Sequence, residues 1–381
     1  MIWLSLASLA AILCLMLSRH GFWRADQRLG DPPEPRDWPD VAVIVPARNE
    51  ADTIQACLHS LAGQDYPGVM RTILVDDGSD DGTAQRAQAV PGVTVLTAPP
   101  LAPGWSGKLA ALQHGVEHAQ HDGAPPFFWF TDADIVHGPG TVRTLVAKAL
   151  AEDRALVSLM VRLATRSFWE KLLVPAFIFF FQKLYPFPAV NNRQVATAAA
   201  AGGCVLVRAE ALAAAGGLAA IRGALIDDCA LAALIKQHGH GIWLGLAEHS
   251  RSLRRYRSLR AFWIMVRRTA FTQLDYRWSL VAATVAAMAV LYGVPLAAAI
   301  VAVARLAAGT GGVEICGLLA PLAALAGVYA PTVRYHHLPL AWSLSLPIAA
   351  VLYTAMTVES AMAYARGTGG AWKGRVYSKS R

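Results

Sequence analysis

From residue 41 to residue 250, short apolar runs alternate with stretches of helical periodicity. Val41–Val45 is an unbroken apolar run that stops at Pro46, the pattern of a strand buried on both faces. Thr72–Val75, Val93–Thr97 and Phe127–Thr131 repeat it; the first of these ends at Asp76-Asp77-Gly78 and the last at Asp132-Ala133-Asp134. Ile54, Leu58 and Leu61 share one face of a helix that Asn49 can cap. Further helical stretches fall near 81–90, 107–121 and 139–152. The alternation predicts an α/β domain with a mostly parallel sheet and helices on both faces. Ligands of such sheets bind beyond the carboxyl ends of the strands. The polar clusters Pro46–Glu50, Asp76–Ser79 and Asp132–Asp134 sit there.

Both ends of the chain read differently. Residues 2–17 are apolar and uncharged, and Arg19, Arg24 and Arg28 follow. That predicts a transmembrane helix with the next domain on the cytoplasmic side. A cleaved signal peptide is the weaker reading, because a basic lead-in and an A-x-A site are missing. Beyond residue 278 the chain is almost continuously apolar, with spans near 279–304, 313–333 and 339–361. Three spans starting inside leave the C-terminus outside, yet Arg366, Lys373, Arg375, Lys379 and Arg381 argue for inside. A re-entrant last segment, with Pro339 and Pro347, would reconcile the two. Residues 168–188 are apolar and aromatic but carry Glu170, Lys171, Gln182 and Lys183. They predict an amphipathic pair of helices lying on the bilayer, with a buried core helix as the other reading. The expected organisation is an N-terminal membrane helix (1–20), an α/β domain (36–250), basic interfacial helices (251–278), about three membrane helices (279–365) and a basic tail (366–381).

Composition agrees. Charged residues make up 16% and hydrophobic ones 55%, against about 25% charge in soluble domains. Disorder is excluded, and a purely soluble protein is disfavoured. The net charge of +8 is clustered: residues 251–278 hold eight arginines against Asp275. Beside apolar segments, such a patch suits lipid headgroups better than nucleic acid. Five cysteines, an odd count without a CxxC pair, argue against a disulfide framework or a structural zinc site and fit a reducing compartment.

Three acidic clusters carry the candidate chemistry. Asp132 and Asp134, two residues apart at a strand end, can reach one divalent ion; hard oxygen donors suit Mg²⁺ or Mn²⁺. An isolated D-x-D is as easily a turn or a cap. Asp76 and Asp77 can accept hydrogen bonds from a nucleobase or ribose, or simply make a turn. Asp227 and Asp228 open a helix, where they either complement its dipole or supply a general base. No GxGxxG follows the first strand and no GxxxxGK[ST] occurs, so hydride transfer and P-loop hydrolysis are poor readings.

In order along the chain stand VIVPARNE, VDDGSDDGT, GWSGK, FTDADI, AAGGC and IDD. This series resembles the family 2 glycosyltransferases of the GT-A fold, over residues 38–275. The stretches SLMVRLATRSFWEKLLVPAFIFFFQKLYPF, AAAAGGCVLV, GALIDDCALA and MVRRTAFTQL resemble the hopene-associated glycosyltransferases of hopanoid-producing bacteria. The resemblance implies a GT-A catalytic domain with a Rossmann-like sheet, flanked by membrane helices. Pro46, Ala47, Arg48 and Glu50 would line the nucleotide pocket, and Asp76 and Asp77 would meet base and ribose. Lys108, Gly202 and Gly203 would lie at the donor. Asp132 and Asp134 would form the metal element, and Asp228 would be the base. Here the acidic pair is Asp-Asp instead of the commoner Glu-Asp. Gln273 to Trp278 is one residue too long for the processive QxxRW element, which argues against a polysaccharide synthase. Arg267 and Arg268 would clamp the diphosphate or anchor the membrane edge.

The implied reaction is inverting transfer from a nucleotide sugar, UDP favoured, to a lipid in hopanoid-associated biosynthesis. It would take place at the inner membrane of a bacterium with the domain facing the cytoplasm. A polyprenyl phosphate acceptor and a non-catalytic scaffold for lipid biosynthesis are the alternatives. The sugar, the acceptor and the oligomeric state are not legible.

Overall fold

The computed structural model describes residues 1–369 and the backbone of residues 371, 372, 375 and 376. Residues 370, 373, 374 and 377–381 of the expected basic tail therefore lie outside the described residues. The chain forms two compact units. One gathers Asp26–Ala164 and Phe187–Arg255; the other gathers Met1–Ala25, Thr165–Pro186 and the described residues from Tyr256 onward.

The first unit is built on one sheet. Its strands in chain order are β1 (Val41–Ala47), β2 (Met70–Asp76), β3 (Val93–Thr97), β4 (Phe127–Phe130), β5 (Ile135–Val136), β6 (Leu156–Arg162), β7 (Val205–Arg208) and β8 (Ile242–Ser252). They lie in the order β3-β2-β1-β4-β7-β6-β8-β5. β3, β2, β1 and β4 are mutually parallel, as the apolar runs predict, and β6 pairs parallel with β8. β7 runs antiparallel to both β4 and β6, and β5 antiparallel to β8. Helices Gly107–His121 and Thr141–Ala151 cover the sheet near their expected positions, and a shorter one spans Thr83–Gln88. The core holds Val43, Val45, Ile54, Leu58, Leu74, Trp129, Val142, Leu145 and Leu206, each essentially without exposure. Burying such side chains stabilises the unit by about 1.5–3 kcal/mol apiece.

Asn49 does not cap the first helix. That helix is Ile54–Ala62, begun at Thr53. Asn49 instead takes a left-handed backbone, φ 52°, and fastens one loop to another. Its N–H donates to Ser79 Oγ (2.9 Å) and its Oδ1 accepts from Asp80 N (3.1 Å). Glu50 N to Thr83 Oγ1 (2.8 Å) and Ala51 N to Asp81 Oδ2 (3.0 Å) complete the seam. The loops after β1 and β2 are thereby one rigid rim.

The second unit is helical. Among its described residues three helices are long and apolar enough to cross a membrane: Trp278–Ala307, Glu314–Tyr335 and Leu340–Ala365. The last begins as a 3₁₀ stretch, Leu340–Ser345, and continues as an α-helix, Leu346–Ala365, with Pro347 in its first turn. Ile2–Ser18 is apolar and shorter. Its Ser5 and Ser8, both fully buried, lie one turn apart and donate to Gly317 O (2.8 Å) and Val290 O (2.7 Å). Small residues let such helices approach closely in an apolar medium. Leu4, Leu13, Leu17, Ile300, Val303 and Val351 point outward, as lipid-facing residues do.

The segment 168–188 holds the helix Phe168–Leu184 and the start of a short helix, Phe187–Asn191. Phe168–Leu184 is one helix of this unit, buried along Leu172–Ala176, Ile178 and Phe179. Its charges are absorbed locally. Ser167 and Glu170 form a capping box, and the fully buried Glu170 also accepts from Tyr256 N (2.9 Å). Lys183 Nζ donates to Tyr292 OH (3.2 Å). A capping carboxylate satisfied by three backbone amides is compatible with burial.

Candidate active site

The carboxyl ends of β1, β2 and β4 converge on an acidic rim. Arg48, just past β1, donates from Nη1 to the carbonyl of Asp77, and Nη1 also lies 3.8 Å from Asp77 Oδ2. Ala47 O accepts from Asp77 N at 2.8 Å. Asp76 is 6% exposed. Its Oδ2 accepts from Ser79 N (3.2 Å), whereas its Oδ1 is buried without a hydrogen-bond partner. A buried carboxylate oxygen left unpaired costs roughly 1–3 kcal/mol, so Asp76 Oδ1 is available to accept from a ligand's donor. That fits a nucleobase N–H or ribose hydroxyl.

Beside this rim lies a cavity lined by Pro46, Lys108, Phe130, Gly202, Asp227 and Asp228, among others. Lys108 stands at the start of a helix whose N-cap is Ser106. Lys108 Nζ pairs with Asp132 Oδ1 at 2.8 Å and Asp227 Oδ2 at 3.2 Å. Burial alone would lower the lysine's pKa; Asp132 and then Asp227 more than offset it and hold the group charged. Asp228 Oδ2 accepts from Gly202 N (2.7 Å), and its Oδ1 from Cys229 N (2.8 Å). Burial first, then the neighbouring Asp227 carboxylate, push Asp228 up to about 6, against the pull of Lys108. A carboxylate in that range is ionised at neutral pH yet is a better base than a solvated one.

The two glycines divide the work. A Cβ at Gly202 would sit 2.9 Å from Lys108 Nζ and 3.4 Å from Asp228 Oδ2. At Gly203 it would instead press Val161 Cγ2 at 3.0 Å and Ile135 at 3.4 Å. Gly202 therefore faces the site, and Gly203 is needed for packing.

Asp134 is 8% exposed. Its Oδ2 accepts from Ser252 Oγ (2.8 Å) and from Arg254 Nε (3.2 Å). Arg254 reaches on to Glu50 Oε1 with Nη2 at 2.6 Å. Sequence reasoning missed Arg254 as a site residue: it is one arginine among eight, and only the β5–β8 pairing, Ile135 opposite Ser252, brings it to the D-x-D turn. Behind that turn His137 links Thr131 Oγ1 (2.8 Å) to Ser250 Oγ (2.9 Å), and Thr131 Oγ1 donates to Gly203 O (3.0 Å). Burial pushes the imidazole down to about 3, so it is neutral. Nothing in the sequence pattern marks this network. Arg267 and Arg268 belong to the helical unit, where Arg267 Nη1 pairs with Glu359 (3.3 Å) and Tyr364 OH donates to Arg268 O (3.2 Å).

The donor set suits a hard divalent cation. Among the described residues no three His, Cys, Asp or Glu side chains are grouped to hold a metal by themselves. Asp132 and Asp134 supply two carboxylates, which is how Mg²⁺-type sites work when phosphates and water complete the shell. Around them Arg48 lies 3.8 Å from Asp77, Lys108 pairs with Asp132 and Asp227, and Arg254 pairs with Glu50 and Asp134.

Residues 42–216 match the family model described as Glycosyl transferase family 2. An N-acetylglucosaminyltransferase of Mesorhizobium japonicum is 53% identical over 51 residues, 13% of this chain and 12% of that protein. A 4,4'-diaponeurosporenoate glycosyltransferase of Staphylococcus aureus is 35% identical over 133 residues, 34% of each protein. The chain thus spans only 12% and 34% of the length of these curated relatives. Among solved structures, a mannosyltransferase from Pyrobaculum calidifontis in complex with GDP-Man and Mn²⁺ superposes with a TM-score of 0.57 at 20% identity. That match covers 94% of this chain and 98% of the other. At such identity the likeness speaks for the fold. Motif order, sheet topology and these matches agree on a GT-A fold, in which residues 42–216 match the family 2 glycosyltransferase model.

Proposed function

We propose that the protein is a membrane-bound inverting glycosyltransferase that moves a sugar from a nucleoside-diphosphate sugar to a lipid hydroxyl. The observation that carries this reading is the Lys108 cluster. It joins the carboxylate expected to face the leaving diphosphate, Asp132, to the acidic pair that holds the base. Asp228 takes the proton of the acceptor hydroxyl; the oxygen forms a bond to the anomeric carbon as the carbon–phosphate-oxygen bond breaks. The electron pair of that bond leaves with the nucleoside diphosphate. Gly202 N–H and Cys229 N–H hold the Asp228 carboxylate in place. Asp76, Asp77 and Arg48 seat the nucleoside, and Lys108 balances charge between the two acidic groups.

Asp132 and Asp134 would hold Mg²⁺ or Mn²⁺, which when bound neutralises charge on the departing diphosphate. The Pyrobaculum mannosyltransferase, described with GDP-Man and Mn²⁺, supports a divalent ion here. A uridine nucleotide is proposed on the family resemblance alone.

Three apolar helices long enough to span, with outward leucines and isoleucines, support a bilayer location. Arg19, Arg24 and Arg28 after the first helix support a cytoplasmic catalytic domain, where nucleotide sugars are made. The Staphylococcus relative's named carotenoid substrate supports an apolar acceptor. A hopanoid is the specific acceptor we propose, on the four stretches quoted above.

The test is turnover by purified protein in lipid nanodiscs with Mn²⁺ or Mg²⁺, a panel of nucleotide sugars and lipid from a hopanoid-producing bacterium. Products are identified by mass spectrometry. A glycolipid that vanishes with Asp134→Ala, and falls about 10²- to 10⁴-fold with Asp228→Asn, supports the reading. Full activity of Asp228→Asn on a polyprenyl phosphate would move the acceptor to that class. Folded protein that neither binds nucleotide nor makes product refutes it.

A further inference from the structure

The Arg254 side chain stands where the chemistry proposed above requires a different cation. Its Nε is 3.2 Å from Asp134 Oδ2, and its Nη2 is 2.6 Å from Glu50 Oε1. The geometry points to Arg254 as a positioning residue that makes divalent-ion binding depend on the donor's diphosphate; this rests on the metal-dependent reading of the site.

Three features lead there. Asp134 is nearly enclosed, and the same oxygen, Oδ2, already accepts from Ser252 Oγ (2.8 Å) and the guanidinium. An ion that takes Asp134 must therefore compete with a side chain of like charge at close range. Second, the arginine is able to yield. Its side chain is 39% exposed, against 11% for that of Asp134 and 14% for that of Glu50. Its anchor on Glu50 belongs to the rigid rim stitched by Asn49, Glu50 and Ala51. It can pivot about Glu50 without unfolding the turn. Third, a displaced guanidinium beside a nucleotide pocket has a matching partner. Its planar fork binds two diphosphate oxygens at once. Diphosphate thus draws Arg254 off Asp134, and the freed carboxylate meets the ion. Binding of each favours the other by the same factor.

The experiment is Mn²⁺ binding to full-length protein in detergent, read as free Mn²⁺ by electron paramagnetic resonance, with and without UDP or GDP. Wild type is expected to bind Mn²⁺ weakly alone and at least tenfold more tightly with one of the nucleotides. Arg254→Gln removes the competitor. Mn²⁺ affinity without nucleotide should then rise roughly tenfold, and the nucleotide should add little. Loss of fold cannot mimic a gain in affinity. Should Arg254→Gln fail to fold, Arg254→Met, which also removes the guanidinium, replaces it with the same expectation. Arg254→Lys keeps the charge without the fork; Mn²⁺ binding alone should stay weak, and the nucleotide's effect should shrink. An unchanged Mn²⁺ affinity in Arg254→Gln overturns the inference. An equal rise with and without nucleotide does so too, since it marks a background charge. If wild type binds no Mn²⁺ even with either nucleotide, the metal-dependent reading itself falls, and Arg254 with it.

Discussion

Sugar transfer should fail on the acid side through one carboxylate. Burial and the adjacent Asp227 raise Asp228 to about 6. A base must be unprotonated, so about nine-tenths of the free enzyme is competent at pH 7 and about one-tenth at pH 5. The sign is therefore a loss of activity as pH falls through 6, roughly tenfold from pH 7 to pH 5. Initial rates with limiting nucleotide sugar, measured as kcat/KM across this range in nanodiscs, report the free-enzyme group. Thermal unfolding at each pH separates lost chemistry from lost fold. Asp227→Asn removes the second of the two causes, so the acid limb should shift to lower pH. Asp228→Asn should lose about 10²- to 10⁴-fold, and its residual rate should show no limb near 6. A flat wild-type profile between pH 7 and 5 would refute the assignment of the base. So would an Asp228→Asn enzyme that keeps the same limb.

Other expectations follow from the same geometry. Gly202→Ala drives a Cβ to within 2.9 Å of Lys108 Nζ; turnover should drop at least tenfold while the melting temperature changes little, seen by paired kinetics and thermal scans. Asp76→Ala removes the unpaired buried Oδ1; nucleotide affinity by calorimetry should weaken about ten- to a hundredfold, the worth of a hydrogen bond to a charged group. His137 is held neutral, with its pKa pushed by burial from 6.5 to about 3. The unfolded chain therefore binds the extra proton first, and stability is lost as pH falls below 6.5. At pH 5 the cost is about 2 kcal/mol, and His137→Gln should remove that part of the pH slope in denaturant titrations.

Much of the sheet could be read from the chain because its signals are local. A run such as Val41–Val45 closed by Pro46 reads as a strand covered on both faces, and the strand–helix alternation makes its neighbours β2 and β4 parallel to it. The acidic turns could be located for the same reason: they end strands, and strand ends are where open sheets bind. Membrane segments announce themselves by length and hydropathy. The interior of Phe168–Leu184 did not, because the burial of Glu170 depends on Tyr256, a partner 86 residues away.

What no local pattern contained is the wiring between distant turns. Lys108, Asp132 and Asp227 lie on three separate segments, and their pairing exists only once a helix start, a strand end and a second helix start meet. Arg254 became a site residue through an antiparallel pairing of two residues in β5 with the end of β8. The difference between Gly202 and Gly203 is likewise tertiary, set by which neighbour each absent Cβ would strike. Residue types and their order determined the domain, its sheet and the carboxylates available for chemistry. Which carboxylate is raised, which is paired and which is left unsatisfied was decided by packing. Burial and charge–charge distances act through space, and sequence separation does not encode them.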